Sequence, residues 1–257
     1  TGNNCTSIGL HFRTADSIAA ITAQNIDLPP LYHGYEAVLD IINPETGQRT
    51  LVTTFAGCVG VNGSNADLAI TCNTLLDLKS SFDGLPVACV VRGVLECSGF
   101  NDAAAFLRDI RHASGQNYLL GSRAGIASFE CAADTVALFW PDSSRSLTWH
   151  ANRARANRSL HPSWVAYIKN LFHVHPSTVS MAEPRFDTVE RLVRESSSHN
   201  ITLIKKVMST DPVYNQQTWL STIAEFDETC AKITIYNNKP DSSEPVFNAS
   251  LTYKKNN

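Results

Sequence analysis

Cys5 is the side chain in this sequence best suited to nucleophilic chemistry. It stands beside Thr6 and Ser7, ahead of the first β-branched and apolar run, near what we expect to be an exposed end of the fold. A cysteine attacks a carbonyl carbon as its thiolate, so it needs a base to take the thiol proton. The sequence therefore predicts a nucleophile whose base has still to be found.

The usual base for a cysteine is histidine, and the sequence contains eight. His173 and His175 form the tightest cluster, but two residues apart on an extended segment they face opposite ways. His112, His161 and His199 stand in loop or helix-end contexts and are expected to be solvated. The sequence also lacks a GxSxG, HExxH, P-loop or dinucleotide-binding glycine pattern.

One base requires no histidine. When a cysteine is the first residue of a chain, its own α-amino group can accept the thiol proton, because that amine has an unperturbed pKa of about 7.7–8. This chemistry needs neither a metal nor an organic cofactor.

Several short motifs follow one another along the chain in a specific order. They are residues 5–8 (CTSI), 23–27 (AQNID), 61–63 (VNG), 72–75 (CNTL), 84–86 (GLP), 90–96 (VVRGVLE), 113–121 (ASGQNYLLG) and 147–152 (LTWHAN), followed by Arg185 at the head of a helical pattern. In this order they resemble the catalytic subunit of the isopenicillin N acyltransferase (acyl-coenzyme A:aminopenicillanic acid acyltransferase) family of N-terminal-nucleophile hydrolases. Cys5 and Asn25 are twenty residues apart, which is similar to the family spacing.

The resemblance implies an α+β fold, a four-layer αββα sandwich, and a precursor that cuts itself immediately before the cysteine. It implies that Cys5 is the nucleophile, that its freed amine is the base, and that Asp27 holds the pair in register. Asn73 and Asn152 match amides near the reacting carbonyl, and Arg185 matches a basic residue near the thiol.

Each of these partners also fits an ordinary structural position. Asp27 precedes a Pro-Pro turn, Asn73 could terminate a strand, Asn152 stands in an arginine-rich loop and Arg185 could be a solvated helix start. The residues alone leave both interpretations open.

The residues before Cys5 depart from the family pattern. Residues 1–4 form a short leader, and an amide-bonded nitrogen is not a base, so the bond between Asn4 and Cys5 would have to be cut by an N-to-S acyl shift. The family usually has glycine before the cysteine. Three explanations stay open: an unprocessed or trimmed precursor, a member that has lost maturation, or Thr1 as the mature end, although the spacing to Asn25 favours Cys5.

Hydrophobic periodicity predicts the elements that must position these residues. Strands are expected at 6–12, 18–26, 36–42, 50–55, 68–76, 129–140, 146–150, 218–226, 231–236 and 247–253. Helices are expected to begin at Pro86 and after Asn101 as an N-cap, and to cover 164–171 and 186–193. Strands, then helices, then strands favour an α+β fold, and we expect one domain over 1–257.

The amino-acid composition limits the kinds of partner that the protein is expected to bind. The chain has 257 residues, of which 43% are hydrophobic and 18% are charged. Lys and Arg (21) nearly balance Asp and Glu (24) with no basic block, so a nucleic-acid partner is not expected. The apolar runs are too short to cross a bilayer.

Cysteines and sequons bear on compartment. Seven cysteines occur without a CxxC pair, so a structural zinc site has no support. Cys72 and Cys89 are expected to be buried free thiols, and Cys5 to be left over if the others pair. Besides the sequon at Asn4, those at Asn62, Asn157, Asn200 and Asn248 are glycosylation candidates and favour a secreted or luminal protein, with the cytoplasm as the alternative.

The sequence thus predicts an amidohydrolase or acyltransferase that acts on a linear amide through a cysteine thioester. Its expected partners are a small acyl amide, with acyl-coenzyme A as a possible donor, and a small N-terminal subunit from the same precursor. The alternative is a secreted, non-catalytic glycoprotein or unprocessed precursor that keeps the fold and binds a small amide or a partner protein.

Overall fold

Two antiparallel sheets dominate the computed structural model, which describes residues 4–13, 18–141, 143–172 and 183–253. His173 and His175 lie outside these residues. The first sheet has six strands. From edge to edge they are β10 (Leu147–His150), β1 (Asn4–Arg13), β2 (Ile18–Asp27), β11 (Thr218–Phe226), β12 (Cys230–Tyr236) and β13 (Phe247–Thr252).

The second sheet has seven strands in sequence order. They are β3 (Glu36–Ile42), β4 (Arg49–Phe55), β5 (Asn62–Asn65), β6 (Ala69–Thr74), β7 (Gln116–Ser122), β8 (Gly125–Cys131) and β9 (Val136–Phe139). Every pairing is antiparallel, and β1 and β2 pack on β6 and β7 of this sheet. Gly9 marks a close approach, because a Cβ atom there would lie 2.9 Å from Leu119 Cδ2.

Helices cover the outer faces. On the second sheet lie α1 (Val87–Leu95) and α2 (Phe100–Asp109), and on the first lie α4 (Pro184–Glu195) and α5 (Ile201–Ser209). A further helix, α3 (Pro162–Phe172), follows β10. The predicted α+β, four-layer αββα arrangement is therefore confirmed. No helix of the described residues is long and apolar enough to span a bilayer.

Alternation along β1 explains why this strand serves two layers. Ile8 and Leu10 point outward and pack in one apolar cluster with Val189 of α4 and Ile204 of α5. The residues that alternate with them face inward, where the side chain of Ser7 reaches Asn73 of the second sheet. Residues next to each other on β1 therefore serve the outer core and the space between the sheets.

Several local predictions need correction. α2 begins at Phe100 with Gly99 in the cap position, so Asn101 lies inside the helix. The extended run at 129–140 is two strands, β8 and β9, separated by a turn. Strands β5 and β7 and helix α5 were not predicted, and the side chain of Asn200 caps α5 by accepting from two backbone N–H groups.

Burial overturns two predictions about single side chains. Cys89 is exposed, because α1 turns Val90 and Val94 toward the sheet and leaves residue 89 outside, whereas Cys72 is buried as expected. His112 is buried with Nε2 2.9 Å from the Leu107 carbonyl oxygen, so it is not solvated. All seven cysteines are free thiols.

Two of the four glycosylation candidates are buried in the folded chain. Asn62 is 2% exposed, and its Nδ2 donates to Gln24 Oε1 and Thr222 Oγ1 between the sheets. Asn157 is 3% exposed, and its Nδ2 donates to the carbonyl oxygens of Glu130 and Thr135. A glycan on either nitrogen would displace these bonds. Asn248 is exposed and Asn200 is half-buried.

Candidate active site

Cys5 lies near the start of β1, which is flanked on both sides by other strands. It faces Ile26 across the β1–β2 ladder and is only 7% exposed, packed in a cluster with Leu28 and Trp219. The expectation of an exposed position is therefore wrong, because β2 and β11 carry large apolar side chains past this end of β1. The burial gives the thiol a water-poor environment.

Two side chains hold the backbone of Cys5. Its N–H donates to Asn152 Oδ1 at 2.8 Å, and its carbonyl oxygen accepts from Arg185 Nη1 at 2.8 Å. Arg185 Nη2 also donates to Asn152 Oδ1 at 2.8 Å, while Nη1 donates to Thr6 Oγ1 at 3.1 Å. The nitrogen and the carbonyl of the candidate nucleophile are thus fixed from the same side.

Asp27 ends β2 beside this group. Its Oδ1 accepts from Thr218 Oγ1 at 2.8 Å, its Oδ2 accepts from Asn215 Nδ2 at 3.0 Å, and Arg185 Nη1 lies 3.9 Å from Oδ2. Burial raises the pKa of Asp27 to about 6, against the opposing effects of both hydrogen bonds and of the Arg185 charge. Asp27 is a carboxylate at neutral pH that protonates in mild acid.

Burial also raises the pKa of the Cys5 thiol, to about 12, and the Asp27 carboxylate contributes to the increase. The backbone N–H of Asp27, the Arg185 charge and the Gln24 side chain act in the opposite direction. The thiol therefore stays protonated at neutral pH unless a neighbouring group accepts its proton.

Asn73 reaches the site from the second sheet. Its Oδ1 accepts from Ser7 Oγ at 2.6 Å and from Asn117 Nδ2 at 3.1 Å. Its Nδ2 is buried and has no hydrogen-bond partner in the part of the chain that the structure describes. An amide N–H₂ group in this state can donate to a ligand oxygen.

Glu183, just before α4, is a site residue that sequence reasoning missed. It is 8% exposed, and its Oε1 accepts from the Asn152 backbone N–H at 2.8 Å and from Arg185 Nη2 at 3.0 Å. The available signal was an acidic residue two positions before Arg185 at the start of a helical pattern. Because Glu183 binds both Asn152 and Arg185, it links helix α4 to the loop that carries Asn152.

A buried contact between Glu130 and His150 supports that loop, residues 151–158. Glu130 and His150 are both fully buried, with His150 Nε2 2.8 Å from Glu130 Oε1. The Glu130 carboxylate also accepts the consecutive backbone N–H groups of Arg155, Ala156 and Asn157 at 2.7–2.8 Å. Burial works to raise the pKa of Glu130, but the hydrogen bonds and charge of His150 and these backbone bonds outweigh it, so the pKa lies below its usual value.

The structure brings all five predicted site residues to one end of the sandwich. Cys5, Asn152 and Arg185 are joined directly, and Asp27 lies beside Arg185. Asn73 joins them through Ser7, which faces the same way as Cys5 two residues along β1. The arrangement combines a thiol, a fixed neighbouring nitrogen, a carboxylate, a guanidinium and a free amide donor, which suits attack on a carbonyl carbon.

A comparison with protein families agrees with this geometry. The family model of acyl-coenzyme A:6-aminopenicillanic acid acyl-transferase matches residues 16–241. The chain belongs to this family. The family inferred from the sequence motifs is therefore confirmed, and the chain is of an acyltransferase or amidohydrolase type. The match begins after Cys5, so the placement of Cys5 rests on its strand register and contacts.

A solved structure shows the same fold as this acyltransferase-family chain. It is the N-acylethanolamine-hydrolyzing acid amidase ortholog of Caenorhabditis elegans, with 18% sequence identity, a TM-score of 0.60, and coverage of 85% of this chain and 92% of that chain. At this identity the likeness shows the N-terminal-nucleophile hydrolase fold. A search of curated proteins gave no match.

Proposed function

We propose that this protein is an acyl-transferring enzyme that cleaves a linear amide through a thioester on Cys5. One observation carries the proposal: Asn152 and Arg185 hydrogen-bond the backbone nitrogen and the carbonyl oxygen of the buried Cys5, and Arg185 lies beside Asp27. Holding this backbone nitrogen in place serves catalysis if the nitrogen becomes the base that accepts the thiol proton.

The proposed first step is maturation. Cys5 Sγ attacks the carbonyl carbon of Asn4, the peptide C–N bond breaks, and the departing nitrogen takes up a proton. Water then hydrolyses the thioester, which restores the thiol and leaves a carboxylate on Asn4. The segment before Cys5 becomes the small N-terminal subunit, and Cys5 gains a free amine.

In turnover the amine accepts the thiol proton, and the thiolate attacks the substrate carbonyl. Asn152 Oδ1, which accepts the Cys5 N–H at 2.8 Å, keeps the amine lone pair directed toward the sulfur. Asn73 Nδ2 donates to the oxyanion, a contribution that is worth about 10²–10³-fold in kcat for one such donor. The C–N bond then breaks and the leaving amine takes the proton from the ammonium.

Resolution of the thioester decides the reaction class. Attack by water gives hydrolysis of an acyl amide, and attack by an amine gives acyl transfer, for which acyl-coenzyme A is a candidate donor. N-acylethanolamines, the substrates named for the similar nematode structure, belong to the acyl amide class and are included among the probes.

Mass spectrometry of the intact chain tests the proposal. Wild type incubated at pH 5–8 should yield a species beginning at Cys5, and added fatty acyl aminomethylcoumarin amides or N-acylethanolamines should add one acyl mass to it. Cys5→Ala should abolish the cut and the acyl adduct. Cys89→Ala is the matched control, because it removes an exposed thiol on α1 and should change neither.

Two results would overturn the proposal. One is amide cleavage by Cys5→Ala at the wild-type rate, which would place the nucleophile elsewhere. The other is a wild-type chain that stays uncut, forms no acyl adduct and yet binds these amides, which would favour a non-catalytic binding protein.

A further inference from the structure

We propose that Ser7 and Asn117 are positioning residues that lock the side-chain amide of Asn73 with its N–H₂ group toward the reacting carbonyl. The inference rests on the proposed function and adds two residues to it. Within the described residues neither side chain hydrogen-bonds the thiol, and both act through Asn73.

The lock comes from two directions. Asn117 stands opposite Asn73 in the β6–β7 ladder and donates Nδ2 to Asn73 Oδ1 at 3.1 Å. Ser7 comes from the facing sheet and donates Oγ to the same oxygen at 2.6 Å. All three side chains are fully buried, so water does not compete for that oxygen.

An asparagine amide has two orientations of nearly equal shape, and hydrogen bonds decide between them. Turning Asn73 over would set its N–H₂ group against the N–H₂ group of Asn117, placing two donors face to face. The Ser7 hydroxyl can rotate to accept, but the Asn117 amide would have to turn as well. Asn117 is therefore the stronger of the two restraints.

The group left over by this lock is Asn73 Nδ2, which has no partner among the described residues. Burying a donor without an acceptor is unfavourable, and under the proposed function the oxyanion of the substrate supplies that acceptor. Asn117 Oδ1 is likewise without a partner among those residues. Each of the two amides thus has one polar atom in the hydrogen bond between Asn117 Nδ2 and Asn73 Oδ1 and one polar atom without a partner among the described residues.

The decisive variant is Asn117→Asp. Its carboxylate can only accept, so it attracts Asn73 Nδ2, turns the amide and presents Asn73 Oδ1 to the substrate carbonyl. Asn117→Ala removes the restraint without reversing it. We expect kcat to fall by about 10²–10³-fold in Asn117→Asp, close to Asn73→Ala, and by about 10-fold in Asn117→Ala and Ser7→Ala.

Three measurements distinguish a changed orientation of the Asn73 amide from a general disturbance of the site. KM for a fatty acyl aminomethylcoumarin amide should stay within about threefold, because the lost interaction belongs to the transition state. Alkylation of Cys5 by iodoacetamide should keep its rate, since displacement at a saturated carbon develops no oxyanion. Ser7→Thr retains the hydroxyl and should recover kcat.

Ser128→Ala is the matched control for Ser7→Ala. Ser128 is a buried serine whose Oγ accepts from Thr148 Oγ1 at 3.0 Å on β10, so the substitution removes a buried hydroxyl that does not reach Asn73. Its kcat should stay near wild type. If Asn117→Asp fails to fold, Ser7→Ala decides alone, because it loses a single oxygen atom.

The outcomes are distinguishable from those of the proposed function. Wild-type kcat in Asn117→Asp or in Ser7→Ala, with Cys5 still acylated, would overturn the positioning role and leave the thioester mechanism intact. An unacylated Cys5 together with full activity in Cys5→Ala would overturn the mechanism itself.

Discussion

Asp27 is a buried carboxyl group whose protonation state affects the stability of the folded chain. Its carboxylate is 1% exposed, and among the described residues Asn215, Thr218 and a guanidinium nitrogen 3.9 Å away offset the loss of water. Burial dominates, and the pKa rises to about 6. The folded chain therefore holds the Asp27 proton more tightly than the unfolded chain does.

This raised pKa predicts a pH dependence of stability with a definite sign. The contribution of Asp27 to the free energy of unfolding is greatest in acid and falls as the pH rises from about 4 to about 6, by about 2–3 kcal/mol. Asp27→Asn should remove this slope, so its difference from wild type in urea unfolding should change between pH 4 and pH 6.5. Parallel curves for the two proteins would contradict the assignment.

Among the residues of the site, some could be predicted and others could not. The motif spacing pointed to Cys5, Asp27 and Asn152, and the structure brings these residues together. Glu183 and Asn117 were missed, because each acts through a residue distant in the chain. Asn117 lies in the 113–121 motif, but nothing in that motif marks its side chain as the partner of Asn73. The burial of Cys5 was missed because it depends on side chains from β2 and β11.

At the scale of elements, the 151–158 loop depends on one carboxylate. Glu130 on β8 holds His150 at the end of β10 and three successive backbone N–H groups of the loop that follows. Asn152, which grips the Cys5 nitrogen, is in the same loop. The position of the Asn152 amide is thus set by a residue on the other sheet.

Glu130→Gln should therefore be strongly destabilising. Each buried donor that loses its carboxylate acceptor costs about 1–3 kcal/mol, and the amide would also offer a donor to backbone N–H groups that need acceptors. Urea unfolding at pH 7 measures the loss. Asp40→Asn is the control, because it breaks the exposed Asp40–Arg49 pair and should have little effect; equal losses in the two variants would contradict the role of burial.

Elements with a strong apolar period were predicted well, and polar ones were not. Strands such as β2 and β11 and helix α4 match their expected positions within a few residues. Strand β5 has the sequence NGSN, which is typical of a turn, and only its burial between β4 and β6 makes it a strand. Helix α5 begins at an asparagine that reads equally well as a sequon.

At the scale of the whole molecule, the sandwich decides which sequons are usable. Asn62 lies between the sheets and Asn157 is buried beside Glu130, whereas Asn248 is exposed on the edge strand β13. A secreted or luminal location, which we propose from the number of sequons, thus rests on fewer positions than the sequence offers.

Expression through a secretory pathway tests this reading. Asn248→Gln should remove the mass of one glycan. Asn200→Gln should remove one only if the glycosylating enzyme can reach the Asn200 side chain, which caps α5. Asn62→Gln and Asn157→Gln should remove no mass and should instead lower the midpoint of thermal unfolding, because both disturb buried hydrogen bonds. A glycan found on Asn62 would contradict the described packing of the two sheets.

The place of β1 within its sheet has a consequence for the proposed cut. Chain ends usually fray, but β2 pairs with this strand from Asn4 onward, and β10 pairs with it on the other flank from Ser7 to Leu10. A new N-terminus at Cys5 would already be fixed in place when the peptide bond breaks. A flexible end would not have to be ordered again in each catalytic cycle. The severed end would behave like a core residue that happens to carry an ammonium group.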